Sequence, residues 1–417
     1  MKQSNKKTVI LFFLVQIVLI ILCVGVIAVA VTSCSSDRAG SAPAPSATPC
    51  QHYWIDGVCQ FCGSVCAHPQ FDDGVCRVCS YVCPHLMWEN GYCVVCGTKC
   101  THPSHNADTA VCDTCGLQLY HTYTANKCSC GRKLSFASST VPAGLLSECP
   151  QQGTVETVSY FVPDYYEHPD VLTDKDMMIY LPYGYSEEKQ YDVLVMIHGG
   201  GGACEDWMTQ EWEINGEYVK LVNLYDNMIM QRLCKPMIIV SVTSLVFDGE
   251  WFQDCEFPQF ARELREEVLP YIAENYSTYA AGSSDEDLIA ARDHFGIGGN
   301  SNGCLYAMNS GLERDLAVFS NFICMSGSAD ATEASSLINI SGMKDYSINC
   351  FFMAAGAYDG QLNNTQYGYN TIVKNTARLT TNTNAWLTTI SNAGHDWQTW
   401  TTGMYNALLV TFPGLEA

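Results

Sequence analysis

Positive charge is scarce in this chain. Over 417 residues, 21 Lys and Arg stand against 43 Asp and Glu, a formal net charge of −22. With so few cations to form a basic face, a phosphate backbone finds no partner surface, which excludes nucleic acid. Cysteine is unevenly absent: only six of the 23 lie after residue 149. The chain therefore contains two regions of different chemistry, and its length allows two or three domains with at least one sizeable core.

The first 34 residues are neither. "MKQSNKK" is basic, and residues 8–31 carry no charge at all. Such a run is long enough to span a bilayer, with its positive flank on the cytoplasmic side. Val31-Thr32-Ser33-Cys34 resembles a bacterial lipobox, so residues 1–34 read either as a lipoprotein signal with Cys34 lipidated or as an uncleaved anchor. Both place the rest outside the cytoplasm, tethered to the membrane. Residues 35–49 are a Ser/Ala/Pro linker.

Residues 50–133 repeat themselves. Four units start at Cys50, Cys66, Cys83 and Cys100, each with Cys-x-His, a short loop and Cys-x-x-Cys. The second and third loops are equal in length, and the fourth is two residues longer. A fifth, degraded copy keeps His121, Cys128 and Cys130. Each full unit offers three sulfurs and one imidazole: Cys50, His52, Cys59 and Cys62; Cys66, His68, Cys76 and Cys79; Cys83, His85, Cys93 and Cys96; Cys100, His102, Cys112 and Cys115. That is the ligand set of a closed structural zinc site, and units this short need a metal to supply folding energy. A disulfide scaffold fits less well, because three cysteines cannot pair internally and a recurring histidine has no role in one. The array resembles the small zinc-ribbon-like repeats of surface proteins from gut anaerobes.

After a linker at 134–151, residues 152–417 have the composition of an ordinary enzyme. Their balance of 35 Asp and Glu to 12 Lys and Arg suits a surface meeting neutral polymers, or solubility alone. "MMIYLP", "YDVLVMIHGG", "PMIIVSVTS", "DHFGIGG" and "CFFMAAGAYDG" are short apolar strands. "PQFARELREEVLPYIAENY" and "SNGCLYAMNSGLERD" have helical spacing. Alternating strands and helices imply an α/β domain with a mostly parallel sheet and helices on both faces.

One serine, Ser301, sits in Gly299-Asn300-Ser301-Asn302-Gly303, between a strand and a helix. G-x-S-x-G in that setting is the sharp turn that presents a nucleophile. Its partners should follow in the order acid, histidine. His395 is the sole histidine after Ser301. Asp359 directly follows an apolar strand, whereas its rivals Asp330 and Asp345 do not. The glycines of "HGGGG" (198–202) let backbone N–H groups approach a developing oxyanion, with Gly200 or Gly201 as one donor and Asn302 as the other. Cys304 should be buried beside the turn.

Residues 152–417 resemble carbohydrate esterase family 1 and its esterase D-like relatives. The resemblance rests on "YLPYGYSEEKQYDVLVMIHGGGGACEDW", "GIGGNSNGC", "GAYDG" and "GHDWQTW". It implies an α/β-hydrolase fold, with Ser301 as nucleophile, His395 as base and Asp359 as acid, and no cofactor for the chemistry. Relatives usually carry Met where this chain has Asn302. The expected activity is removal of feruloyl or acetyl groups from plant cell-wall polysaccharide. The alternatives are a general short-chain esterase or acyltransferase of the same fold, or a surface-binding protein with an inactive hydrolase domain. Trp207, Trp397 and Trp400 are candidates for stacking on sugar or aromatic acid.

Overall fold

The computed structural model describes residues 53–414 apart from 56–57, 61–63, 69, 73, 164–171, 248–251 and 341. The apolar segment with Cys34, the 35–49 linker, and Cys50, His52 and Cys62 lie outside the described residues. Among those described, no helix is long and apolar enough to cross a membrane. The chain divides into two compact units, 1–83 and 84–417.

In the second unit an eight-stranded sheet is formed by β1 (Thr154–Pro163), β2 (Leu172–Leu181), β3 (Asp192–Ile197), β4 (Met237–Val242), β5 (Phe295–Asn300), β6 (Asn321–Met325), β7 (Cys350–Gly356) and β8 (Ala385–Ile390). The order is β8-β7-β6-β5-β3-β4-β2-β1. Strands β3 to β8 pair in parallel, while β2 joins β4 and β1 joins β2 antiparallel. Every residue of β3 to β7 is buried, as the continuous apolar runs require of a sheet covered on both faces.

Alternation decides which side chain enters which core. Val193, Val195 and Ile197 of β3 point into one cluster, with Phe260, Leu264, Val268 and Ile272 from the helical stretch 257–275. Leu194 and Met196 point into the other, with Leu224 and Tyr225 of α1 (Leu221–Met230) and Met404 and Tyr405 of α4 (Trp397–Leu408). The 257–275 stretch begins as α2 (Phe257–Glu263) and widens to a π-turn at Leu264–Val268 before Pro270, which has no N–H to donate. Inside the first cluster's edge, Lys175 Nζ pairs with Glu263 Oε1 at 2.6 Å, and Tyr160 Oη donates to the same oxygen at 2.7 Å.

The segment expected as a 134–151 linker is packed instead. Val141 and Leu145 enter the second core cluster, Ala137 and Asn406 exchange two hydrogen bonds, and Ser391 N donates to the Ser138 carbonyl. Apolar side chains at 141 and 145 drive this, and the division between units falls within the repeats.

Each of the first three repeats carries a hairpin of two-residue strands, whereas in the fourth His105 and Cys112 meet as an isolated bridge. In the third, Trp88 pairs with Cys93 across Asn90 and Gly91, both with positive φ (48° and 81°). That is the Asn-Gly signature of a type I′ turn, and it explains the glycine two residues before Cys-x-x-Cys in the second and third repeats, Gly74 and Gly91; the fourth has Ala110 there.

Candidate active site

The turn at Ser301 is strained and tightly packed. Ser301 has φ 53° and ψ −115° between β5 and α3 (Asn302–Tyr306), and its N–H donates to the Met325 carbonyl. The glycines around it are required: a Cβ on Gly299 would lie 2.6 Å from the Ile197 oxygen, and one on Gly303 would overlap that same oxygen. A non-glycine residue holding positive φ is costly and persists only where surroundings enforce it.

His395 Nε2 lies 2.9 Å from Ser301 Oγ, and His395 Nδ1 lies 2.9 Å from Asp359 Oδ1. Asp359 follows β7, its side chain fully buried, and Oδ1 also accepts from Gln361 N at 2.8 Å. The His395 loop is fixed by Asp396, which caps α4 through Thr399 N and accepts from Gly394 N. Of the rival acids, Asp330 caps the helix Ala331–Leu337.

The loop after β3 closes as a turn, with Gly202 N donating to the Gly199 carbonyl and Gly201 at φ 74°. Gly200 faces Asn302, to within 3.9 Å between an added Cβ and the asparagine's own. Asn302 opens α3, so its N–H has no carbonyl one turn earlier within the helix. His198 is part of the scaffold: it is buried, with Nδ1 at 2.7 Å from the Gly199 carbonyl and Nε2 at 2.8 Å from Thr243 Oγ1. Cys304 is fully buried against the sheet.

Ser301 and His395 open into a cleft of about 560 Å³ lined by Gly199–Gly202, Asp206, Trp212, Glu213, Asn300, Asp396, Trp397 and Trp400. Trp397 and Trp400 thus stand where the sequence suggested. Trp207 does not: it is fully buried, its indole N–H donating to the Ile197 carbonyl, because a 3-10 turn tucks it under the loop. Trp212 takes the place at the cleft instead, stacked on Trp397 at 4.3 Å with 16° between the planes. It sits on a hairpin turning at Asn215-Gly216, a turn legible in the sequence although its role was not. Burial pushes the Asp206 carboxyl up to about 6, partly opposed by a hydrogen bond from the Ala203 backbone.

In the repeats, Cys66, His68, Cys76 and Cys79 gather in the first unit, and Cys100, His102, Cys112 and Cys115 in the second, each set within 4.8 Å. Cys79 Sγ lies 3.2 Å from His68 Nδ1, Cys115 Sγ 3.5 Å from His102 Nδ1, and Cys66 Sγ 3.8 Å from Cys76 Sγ. A tetrahedral zinc with bonds of about 2.0–2.3 Å needs ligand atoms roughly 3.3–3.8 Å apart. In the third repeat His85 Nδ1 lies 3.4 Å from Cys96 Sγ. His68, His85 and His102 share φ 49°, and the N–H groups of His68 and His102 donate to Cys66 and Cys100 sulfurs at 3.4 Å. Burial pushes the Cys76 and Cys112 thiols up, but backbone N–H groups and the neighbouring histidine outweigh it and hold both at about 6. Every described cysteine is unbridged. These sets fit zinc.

A family model described as "Putative esterase" matches residues 172–410. Endo-1,4-beta-xylanase Y of Acetivibrio thermocellus is 34% identical over 164 residues, which cover 39% of this chain and only 13% of that protein. A serine-to-alanine mutant of the feruloyl esterase module from Clostridium thermocellum, complexed with sinapinate, is similar in structure. It shows 25% identity and a TM-score of 0.56, covering 68% of this chain and 98% of that one. A ferulic acid esterase from the fungus Anaeromyces mucronatus shares the fold at 19% identity and TM-score 0.51, covering 67% and 98%. With its central parallel sheet, its serine turn and the family match over residues 172–410, more than half its length, the chain belongs to the esterase family.

Proposed function

We propose that the chain is a serine esterase that removes feruloyl groups from plant cell-wall xylan. The observation that carries this is the Ser301–His395–Asp359 relay, both links at 2.9 Å, opening into a cleft walled by tryptophan. Ser301 Oγ attacks the ester carbonyl as its proton passes to His395 Nε2. Asp359 accepts from Nδ1–H and stabilises the imidazolium. N–H groups of Gly200 or Gly201 and of Asn302 hold the oxyanion. The sugar alkoxide leaves with the proton from His395, and water, deprotonated by the same nitrogen, releases the acid and restores Ser301.

The stacked Trp212 and Trp397 offer a flat apolar wall that favours an aromatic acyl group over acetate. The Clostridium thermocellum module, solved with sinapinate, supports the same choice. The repeats hold structural zinc, and residues 1–34 tether the chain outside the cytoplasm. The test is to offer the full chain feruloylated arabinoxylan and acetylated xylan side by side. Ferulate should be released faster by about tenfold or more, roughly 1.4 kcal/mol of transition-state preference, and Ser301→Ala should lose both activities. Acetate released alone would overturn the feruloyl assignment, and ester cleavage untouched by Ser301→Ala would overturn the mechanism.

A further inference from the structure

The fifth repeat lacks the opening Cys-x-His, so on its own it has three donors, His121, Cys128 and Cys130. The fourth donor comes from elsewhere. In the second and third repeats the residue opposite the first cysteine of Cys-x-x-Cys is aromatic: Phe71 across from Cys76, Trp88 across from Cys93. Each packs on the histidine of its own repeat, at 5.9 Å and 5.5 Å between ring centres. In the fourth repeat that position, opposite Cys112, is His105.

The two extra residues of that loop are used in a turn. Asn106 Oδ1 accepts from the N–H groups of Asp108 and Thr109, and Asn106 N donates to the Val111 carbonyl. His105 is thereby turned away from its own repeat toward the next. It is buried, with Nε2 at 3.2 Å from Cys128 Sγ, while its Nδ1 has no hydrogen-bond partner. His121 Nδ1 lies 3.5 Å from Cys130 Sγ. The four donor atoms lie within 4.8 Å of one another. A buried imidazole whose only polar contact is a thiol is poorly explained as packing, since buried polar groups are otherwise paired.

We propose that His105, His121, Cys128 and Cys130 bind a zinc-class divalent ion in a Cys2His2 site shared between the fourth and fifth repeats. Two thiolates and two imidazoles in a compact set suit a tetrahedral ion and leave no open position. Arg132 Nη1, 3.2 Å from His121 Nε2, would draw back once that nitrogen carries the proton of a ligating ring.

The site has a mechanical consequence. The loop it closes is seated on the hydrolase domain, where Asn126 N donates to the Asn382 carbonyl, Trp386 Nε1 donates to Asn126 Oδ1 and Gly414 N donates to Thr122 Oγ1. Trp386 belongs to β8, the edge strand that leads to the His395 loop. The ion would fasten the end of the array to that edge. The inference goes beyond the zinc reading of the Cys3His repeats, since its ligands come from two repeats and include a histidine outside the repeated pattern.

The test is metal content of the full chain, prepared reduced, loaded with zinc and desalted. His105→Ala should lose one ion per chain, and His105→Cys should recover it. With cobalt, His105→Cys should also gain thiolate-to-metal charge-transfer absorption, one thiolate's worth above the unsubstituted chain. Should His105→Ala fail to fold, His105→Cys alone decides by that added band. Full zinc content in a folded His105→Ala, or no added band in His105→Cys, would overturn this site while leaving the other repeats as zinc sites. No zinc in any form would overturn both.

Discussion

The substitution Asp359→Asn separates two ways in which the acid serves His395. Asp359 Oδ1 accepts from both His395 Nδ1 and Gln361 N, whereas Oδ2 is buried with no hydrogen-bond partner. An amide turned with its NH2 toward the histidine would lose both acceptances and set a donor against the Gln361 N–H. The introduced amide therefore keeps its oxygen at the Oδ1 place, and the histidine keeps its tautomer. What is lost is the negative charge beside the imidazolium formed in the transition state. Two unit charges about 4 Å apart at an effective dielectric near 20 interact by about 4 kcal/mol. At about 1.4 kcal/mol per decade, kcat should fall about a thousandfold with KM unchanged. A tautomer-reversing amide would cost about tenfold more. Steady-state hydrolysis of 4-nitrophenyl acetate near neutral pH measures this without assuming the natural acyl group. A loss smaller than about tenfold would refute the assignment of Asp359.

Three further predictions concern the scaffold. Lys175→Met leaves the Glu263 carboxylate buried beside Tyr160 without its cation, so urea unfolding should show a loss of about 3–5 kcal/mol; adding Glu263→Leu should restore most of it, and additive losses would contradict the pairing. Gly303→Ala drives a Cβ into the Ile197 and His198 carbonyl oxygens; it should cost about 1–3 kcal/mol and abolish activity by moving Ser301, and a stable, active variant would contradict the tight turn. Asp206 holds its proton more tightly when folded, to about 6 against an ordinary value of 3.8, so its contribution to stability is present below about 4 and lost as pH rises through 6. Asp206→Asn should thus raise the thermal midpoint above about pH 7 and leave it unchanged below about pH 4; equal shifts in both ranges would contradict the burial argument.

Much of this was legible because each signal had a single physical cause. Strands buried on both faces must be apolar throughout, so "YDVLVMIHGG" and "CFFMAAGAYDG" announced themselves as β3 and β7. "NFICM" and "AWLTTI", now β6 and β8, are too short and ambiguous to stand out. The Ser301, Asp359 and His395 constellation was readable because His395 had no competitor downstream of the serine. Trp207 and Trp212 could not be told apart by composition. Only the 3-10 turn at Cys204–Trp207, which buries one indole, and the 211–220 hairpin, which brings the other to the cleft, separate them. His105 was hidden for a related reason. Its role depends on which cysteine it faces across a hairpin, and spacing alone does not show that.

A nucleophilic Ser301 can be trapped covalently. The full chain would be incubated with a fluorophosphonate and its peptides mapped by mass spectrometry. One phosphonyl group per chain on Ser301, absent in Ser301→Ala and much slower to form in His395→Ala, is the result expected. An unlabelled Ser301 in protein that still hydrolyses esters would contradict it.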